Sequence, residues 1–282
     1  MSNFWARTIT GLSMVFILLA AVYFSGPVFA FIFLLIAILG LWEFYGLIRN
    51  ENCQPQKIYG TFAGAVIYLT TFTSRYFSEN FQERPWLVIM PFVIPIPLIF
   101  ISFLIEIYRN KPNPIINIAT TTLGILYVAV PFSLLLYFSN SGVIHFLGMP
   151  VILVGYFAFT WIYDTGAYLY GKQFGKHKFF ERISPKKTWE GTVAGAIVTL
   201  IIATGLSFLI TSLPVFDWLA LAFIVIIFGT HGDLVESLFK RSLNIKDSGT
   251  ILPGHGGILD RFDTMLISAP FVFLYFFIRN SI

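Results

Sequence analysis

Charged residues are scarce in this chain of 282 residues. Only 11% of the residues are Asp, Glu, Lys or Arg, whereas soluble globular domains contain about 25%. Hydrophobic residues make up 57% of the sequence, and the mean hydropathy is +0.80. The composition therefore excludes a soluble globular protein and predicts an integral membrane protein without a separate water-soluble domain.

Cysteine is nearly absent as well. The single cysteine, Cys53, excludes an intrachain disulfide framework, a CxxC redox pair and a cysteine-based zinc cluster. The net charge of +4 is small, and in so apolar a chain the placement of Lys and Arg is more informative than their sum. We therefore expect no nucleic-acid partner.

Long apolar runs, by contrast, are abundant, and they predict an all-α polytopic protein with about nine transmembrane helices. The spans are expected near residues 9–24, 28–48, 58–74, 86–105, 116–138, 150–170, 190–212, 215–230 and 262–279. The fourth run contains Pro91, Pro95 and Pro97. We expect a kink there, because neighbouring helices can satisfy the carbonyl groups that proline leaves unpaired.

The basic residues divide unequally between the two sides that nine spans create. One side collects 15 of the 18 Lys and Arg residues, and the other has Arg75, Arg84 and Arg279. The positive-inside rule then places the N-terminus in the cytoplasm and the C-terminus outside, with loops 171–189 and 231–261 in the cytoplasm. We interpret residues 1–282 as a single integral membrane domain, with N-terminal helices over 1–149 and catalytic helices and cytoplasmic loops over 150–282.

Acidic residues in the first half predict little chemistry. Glu43, Glu79, Glu83 and Glu106 lie at predicted span ends or in loops, which is typical of interfacial charge. Asp164 differs, because it stands within an apolar run, where insertion of a charge costs about 2.5–3.5 kcal/mol. We interpret Asp164 as a site residue, with a structural ion pair as the alternative.

The segment after Asp164 is rich in basic side chains: Lys172, Lys176, His177, Lys178, Arg182, Lys186 and Lys187. A patch that contacts lipid head groups is one interpretation, but the sequence SPKKTWEG, which begins at Ser184, indicates more. Pro185 restricts a turn, and Thr188 is suited to cap a helix that begins near Trp189. Lysines beside a helix N-terminus, with its free backbone N–H groups, predict a phosphate-binding site.

A second polar segment covers residues 229–263. Asp233 and Glu236 lie three residues apart, as do Asp260 and Asp263, so each pair shares one face of a helix. Together with Asp164, these carboxylates predict a site for Mg²⁺, which binds a few carboxylates together with waters and substrate phosphates.

The sequence PGHGGIL lies between these two acidic pairs. It holds three glycines within residues 253–257, and such glycines let backbone amides approach a ligand closely. His255 is expected either to contact substrate or to make a structural hydrogen bond. Metal ligation by His255 is not expected, because no second histidine is suitably spaced.

The run SLFKRSLNIKDSGTILPGHGGILDRFD, residues 237–263, resembles the signature of the phosphatidate cytidylyltransferase family, also called CDP-diacylglycerol synthases. The segment around Asp164, Gly166 and Tyr168 and the stretch ISPKKTWEG are also similar to that family. The resemblance implies transfer of the CMP moiety of CTP to phosphatidic acid, which gives CDP-diacylglycerol and pyrophosphate for phospholipid biosynthesis. It also implies a bacterial inner (plasma) membrane and contact with membrane lipids, and the distribution of basic residues predicts an active site that faces the cytoplasm. A homodimer is left open.

The resemblance also implies residue roles. The expected metal ligands are Asp233 and Asp260, supported by Asp164, Glu236 and Asp263. The expected catalytic residues are Asp233, Asp260, Lys186, Lys187, Lys246 and Arg261, and the expected substrate-binding residues are Ser184, Thr188, Lys240, Arg241, His255, Gly256 and Gly257. Mg²⁺ is the expected cofactor, with a second cation left open. Phosphatidate brings its own phosphate nucleophile, so we expect catalysis by positioning and electrostatics without a covalent intermediate.

Two alternatives remain open from the residues. A CTP-dependent transferase for an isoprenoid ether lipid or a polyprenol would use the same site with another acceptor. A cation transporter would account for Asp164 as part of an ion path, but it does not account for the lysine-rich loop or the glycine-rich turn.

Overall fold

A computed structural model of the chain describes residues 3–77, 86–139, 145–249, 251 and 256–281. Helices dominate these ranges: α1 (Asn3–Phe24), α2 (Gly26–Ile48), α3 (Lys57–Tyr76), α4 (Trp86–Val93), α5 (Pro95–Arg109), α6 (Pro114–Gly124), α7 (Val130–Leu135), α8 (Val151–Phe174), α9 (Trp189–Leu209), α10 (Val215–Ile224), α11 (Thr230–Ser242) and α12 (Leu259–Ser281). Short π-helical turns, Ile125–Ala129 and Val225–Gly229, join α6 to α7 and α10 to α11, and a 3₁₀ turn, Leu136–Phe138, follows α7. Every apolar run predicted to span the membrane falls on one helix or on consecutive helices.

Among the described residues, six helical stretches are long and apolar enough to cross a membrane: Gly26–Ile48, Trp86–Arg109, Pro114–Phe138, Trp189–Leu209, Val215–Ser242 and Leu259–Arg279. This pattern is that of an all-α integral membrane protein. The proline-rich fourth run is divided at Ile94 between α4 and α5, as expected for a kink. The eighth run is longer than predicted, because α10 and α11 form one stretch of 28 residues, and the predicted loop 231–261 is correspondingly shorter.

Two small antiparallel hairpins are present that the sequence does not predict. In the first, β1 (His145–Phe146) pairs with β2 (Met149–Pro150). In the second, β3 (Lys178–Phe180) pairs with β4 (Ser184–Thr188). The basic segment 171–189 therefore has a defined backbone.

The chain forms two compact units. The first comprises Met1–Asn140 and Asp247–Phe262, and the second comprises Ser141–Lys246 and Asp263–Ile282. The predicted division after residue 149 lies near the first of these boundaries. The segment 247–262 nevertheless belongs with the N-terminal helices, which the sequence pattern does not indicate.

Packing in the first unit is centred on α2. Tyr45 of α2 is fully buried, and its hydroxyl donates a hydrogen bond to the carbonyl of Thr121 at 2.7 Å. A Cβ on Gly60 of α3 would lie 2.4 Å from the Tyr45 hydroxyl oxygen, and a Cβ on Gly124 of α6 would lie 2.5 Å from Cε1 of the same ring. Glycine is therefore required where both helices meet this side chain.

Two glutamates of the first unit are buried, so the prediction that they are interfacial is wrong. Glu43 and Glu106 are only 7% and 6% exposed. Glu106 accepts one hydrogen bond, at 2.7 Å, from each of three side chains, namely Gln56, Asn117 and Arg109. A buried carboxylate requires such partners, and this network joins the α2–α3 connection to α5 and α6. Glu79 and Glu83 lie outside the described residues.

Helices α8 and α9 approach each other closely in the second unit. A Cβ on Gly191 would lie 2.5 Å from the carbonyl oxygen of Ala167, and a Cβ on Gly195 would lie 2.9 Å from the carbonyl oxygen of Tyr163. The Tyr163 hydroxyl shares a 2.6 Å hydrogen bond with Thr230 at the start of α11. Close contact at small residues and polar links between helices are typical of helix packing in membranes.

Candidate active site

The second unit contains a cavity of about 660 Å³. Its wall comes from α8, from the β3–β4 hairpin, from the start of α9 and from α11, and the lining residues are Tyr163, Asp164, Ala167, Tyr168, Gly171, Lys172, Gly175, Lys178, Ser184, Lys186, Lys187, Thr188, Thr192 and Asp233. Four of these side chains are lysines and two are aspartates. The cavity therefore offers positive charge for a polyanion together with a small number of carboxylates.

Thr188 caps α9 at the edge of this cavity. Its Oγ1 accepts a hydrogen bond from the backbone N–H of Gly191 at 3.3 Å, and α9 begins at Trp189. The predicted helix cap is thus confirmed. The positive end of the α9 dipole favours an anion at this position.

Gly171 of α8 and Gly175, which directly follows α8, make room for the cap. A Cβ on Gly171 would lie 2.9 Å from Thr188 Oγ1, and a Cβ on Gly175 would lie 2.7 Å from the same atom. Sequence reasoning did not single out these glycines. The signal was present, because Gly171 and Gly175, like Gly191 and Gly195, are four residues apart, which is the spacing of close helix contacts in membranes.

The hairpin is fastened to α9 by Glu190. This carboxylate accepts hydrogen bonds from the backbone N–H groups of Lys176 and His177, each at 3.1 Å, and lies 2.6 Å from Nδ1 of His177. The backbone N–H of Trp189 also donates to the His177 carbonyl at 3.0 Å. These contacts hold both ends of the basic hairpin against the first turn of α9.

Lys187 and Asp233 form an ion pair in the cavity wall. Lys187 Nζ lies 2.6 Å from Oδ2 of Asp233, and the Ser237 hydroxyl donates to Oδ1 of Asp233 at 3.2 Å. Both charged side chains remain partly exposed, at 24% and 31%. An ion pair of this kind contributes at most about 1 kcal/mol, so a phosphate group can replace Asp233 beside Lys187 at little cost.

Asp164 and Asp263 lie near this pair in different ways. Asp164 is exposed to the cavity from α8. Asp263 Oδ1 accepts a hydrogen bond from the backbone N–H of Thr264 at 2.7 Å, and a Cβ on Gly232 would lie 2.5 Å from the Asp263 carbonyl oxygen. The close approach at Gly232 places Asp263 against the turn of α11 that carries Asp233.

Only some of the residues predicted to bind phosphate line the cavity. Lys186, Lys187, Ser184 and Thr188 line the cavity as expected, and so do Lys172 and Lys178, which were predicted only as members of the basic segment. Lys240 pairs with the buried Glu236 one helical turn away. The Arg241 guanidinium donates to the carbonyl groups of Ile183 and Ile245 at 3.5 and 3.3 Å, and Lys246 is exposed.

Asp260 stands in the first unit, at the start of α12. Its Oδ2 accepts hydrogen bonds from the backbone N–H groups of Ser248 and Gly257, at 2.8 and 2.9 Å. Gly256 has φ of +83°, and a Cβ there would lie 2.5 Å from Asp260 Oδ2. The glycines of this turn therefore allow close approach to the carboxylate of Asp260. Arg261 is exposed, and His255 lies outside the described residues.

Glu43 of α2 also contacts this turn, and sequence reasoning did not identify that role. Its carboxylate accepts hydrogen bonds from the Ser248 hydroxyl and from the backbone N–H groups of Ile258 and Leu259. No local pattern identifies it, because its partners are more than 200 residues away along the chain.

The donor chemistry of the second unit fits Mg²⁺. Asp164 and Asp233 line one cavity, and Mg²⁺ is commonly held by one or two carboxylates, with waters and substrate phosphates completing its coordination. Within the described residues, no group of three or more His, Cys, Asp or Glu side chains converges on one point.

Fold and cavity together describe an all-α integral membrane protein whose second unit has a cavity lined by lysines and aspartates. Residues 5–279 match the sequence profile of the cytidylyltransferase family, and the chain belongs to that family. The family predicted from the motif is thereby confirmed.

The chain is similar to several bacterial proteins named phosphatidate cytidylyltransferase. It is 32% identical to that of Staphylococcus haemolyticus over 94% of this chain and 95% of the relative. It is 31% identical to that of Haemophilus influenzae over 96% of this chain and 98% of the relative. It is 36% identical to that of Staphylococcus aureus strain COL over 66% of this chain and 69% of the relative.

Proposed function

We propose that the protein transfers the CMP moiety of CTP to phosphatidate and releases pyrophosphate. The observation that carries this proposal is the cavity in which Lys186, Lys187 and the capped start of α9 surround Asp164 and Asp233. Relatives that align over nearly the whole chain carry the name of this activity. An enzyme of this kind must hold two polyanions together, and the four lysines of the cavity wall supply positive charge for this task.

The reaction needs little from the protein beyond positioning. A phosphate oxygen of phosphatidate attacks the α-phosphorus of CTP, a new P–O bond forms, and the bond from that phosphorus to the pyrophosphate oxygen breaks. Lys186 and Lys187 bind phosphate oxygens, and together with the positive end of the α9 dipole they stabilise the negative charge that develops on the leaving pyrophosphate. Lys187 becomes available for this role when substrate phosphate displaces it from Asp233.

Magnesium is part of the proposal. Asp164 and Asp233 would hold the ion, and its charge would neutralise substrate phosphates. Asp260 remains a proposed main ligand beside Asp233. Asp263 and Glu236 remain proposed supporting ligands, and a second cation remains open. Removal of divalent cations with EDTA should abolish turnover, and added Mg²⁺ should restore it.

The proposed topology follows the sequence analysis. Nine spans place the N-terminus in the cytoplasm and the C-terminus outside, with the cavity facing the cytoplasm of a bacterial inner membrane. Phosphatidate enters from the bilayer with its head group at the interface, and a homodimer is compatible with this arrangement. A reporter fused after residue 282 should be external, and one inserted after Lys176 should be cytoplasmic. Reporters on the same side would contradict nine spans.

A turnover assay tests the function. Purified protein in detergent should release pyrophosphate from CTP only when phosphatidate is present and should form CDP-diacylglycerol. Initial-rate lines at several phosphatidate concentrations should intersect, since transfer is direct; parallel lines would indicate a covalent intermediate. Pyrophosphate release only in the presence of a polyprenol or an isoprenoid ether lipid would favour a CTP-dependent transferase that acts on those lipids. Cation flux in vesicles without turnover would favour a cation transporter.

A further inference from the structure

We infer that Glu43 is a positioning residue that fixes the turn bearing Asp260. This inference rests on the proposed function, in which Asp260 belongs to the catalytic machinery. It extends the active site to a residue of α2, in the half of the chain where the motifs predict no chemistry.

The first observation is that the Glu43 carboxylate is committed to this turn. Its Oε2 accepts the backbone N–H of Ile258 at 2.9 Å, and its Oε1 accepts that of Leu259 at 3.0 Å. Oε1 also accepts the Ser248 hydroxyl. Ile258 and Leu259 immediately precede Asp260, so the Glu43 carboxylate acts as a cap for the first turn of α12.

The second observation is that two glycines leave space for this carboxylate. A Cβ on Gly257 would lie 2.0 Å from Oε1 of Glu43, and a Cβ on Gly249 would lie 2.7 Å from Oε2. Any larger residue at either position would displace the Glu43 side chain or the turn. Gly249 and Gly257 thus leave the space that the Glu43 carboxylate occupies.

The third observation is a direct relay from Glu43 to Asp260 through Ser248. The Ser248 hydroxyl donates to Glu43 and accepts the backbone N–H of Asp260 at 3.3 Å. The backbone N–H of Ser248 donates to Oδ2 of Asp260 at 2.8 Å. Loss of Glu43 would therefore loosen both the backbone and the side chain of Asp260.

Glu106 provides a matched control. It is a buried carboxylate of the same unit with nearly the same exposure, and it also accepts three hydrogen bonds. Its donors come from the α2–α3 connection, α5 and α6, outside the segment 247–262. Glu106→Gln therefore removes a buried charge without touching the turn of Asp260.

Hydrogen exchange in the metal-free full-length protein tests the inference without turnover. Glu43→Gln should speed exchange of the amides of residues 258 and 259 by about tenfold or more, because Gln has no charge and only one acceptor oxygen for the two N–H groups. Glu106→Gln should leave these amides as in the wild type. Equal exchange in Glu43→Gln and wild type, or the same acceleration in both variants, would overturn the inference.

Kinetics give the second readout. Glu43→Gln should raise the Mg²⁺ concentration for half-maximal turnover at least about fivefold, and saturating Mg²⁺ should restore most of kcat, because a mobile ligand binds more weakly but remains present. A lower kcat with unchanged Mg²⁺ dependence would overturn the inference.

If Glu43→Gln does not fold, Ser248→Ala breaks the same hydrogen-bond connection and should show smaller changes of the same kind. A wild type without turnover would refute the proposed function, whereas the exchange experiment would still decide the role of Glu43.

Discussion

Asp260 in the first unit and Asp233 in the second are both predicted metal ligands, but they are satisfied by different donors. Asp260 accepts backbone N–H groups, whose positions the fold fixes. Asp233 pairs with Lys187, whose long side chain can turn away. The comparison indicates that the turn of Asp260 is preorganised, and it predicts that Asp233 changes its partner when substrate binds. Four predictions test this distinction.

Replacement of the two aspartates should have the largest effect. Asp233→Asn and Asp260→Asn should each lower turnover by about 1000-fold, the loss seen when a central electrostatic group is removed. They should differ in stability: Asp260→Asn should lower the free energy of unfolding by about 1–2 kcal/mol, since a charged acceptor of two N–H groups is lost. Asp233→Asn should change it little. Pyrophosphate release and thermal unfolding in detergent measure both quantities.

Asp217→Asn is the control for these aspartate variants. Asp217 is buried and accepts the Tyr275 hydroxyl at 2.6 Å, with Arg279 at 3.5 Å. Its replacement should lower stability while turnover per folded molecule is retained. Near-normal turnover in Asp233→Asn would exclude a catalytic role for that residue.

The lysines of β4 should have the next largest effect. Lys186→Ala combined with Lys187→Ala should lower kcat/KM for CTP about 100-fold, because two phosphate donors are lost. Lys176→Ala is the control, since this exposed residue lies in the same basic segment but its side chain is not part of the cavity wall. Equal losses of kcat/KM in both variants would indicate that Lys186 and Lys187 act only through general surface charge.

Close packing of α8 and α9 should have an intermediate effect. Gly191→Ala would place a Cβ 2.5 Å from the Ala167 carbonyl oxygen and should destabilise the protein by about 1–3 kcal/mol. Gly205→Ala in the same helix has open space around the new Cβ and should stabilise the helix by up to about 1 kcal/mol. Thermal unfolding of both variants, with turnover of the folded fraction, compares them. A neutral Gly191→Ala would contradict the requirement for close approach.

The exposed contact between Glu190 and the hairpin should have the smallest effect. Glu190→Gln retains one carbonyl acceptor but weakens the contact with His177, so we expect KM for CTP to rise within about threefold. Steady-state kinetics measure the change. A loss as large as that of the lysine variant would mean that the hairpin, and not only its lysines, is essential for binding.

Several features could be predicted because they are local. The apolar runs predict where helices lie, and Thr188 before Trp189 predicts the start of α9, since capping depends on neighbouring residues. The role of Glu43 could not be predicted in this way, because its three donors come from the other end of the chain. The hairpin was missed because its basic sequence lacks the alternation of a half-buried strand. The membership of segment 247–262 in the first unit likewise depends on distant contacts.

The continuous helical stretch from α10 to α11 fixes the distance between Val215 and Asp233. The stretch comprises 28 residues. The roughly 18 residues from Val215 to Asp233 rise about 27 Å at 1.5 Å per residue. The hydrocarbon core of a bilayer is about 30 Å thick. If Val215 lies at one surface of the bilayer, Asp233 would lie at the level of the opposite head groups, where lipid phosphates lie, and we therefore expect the lipid to react without leaving the membrane.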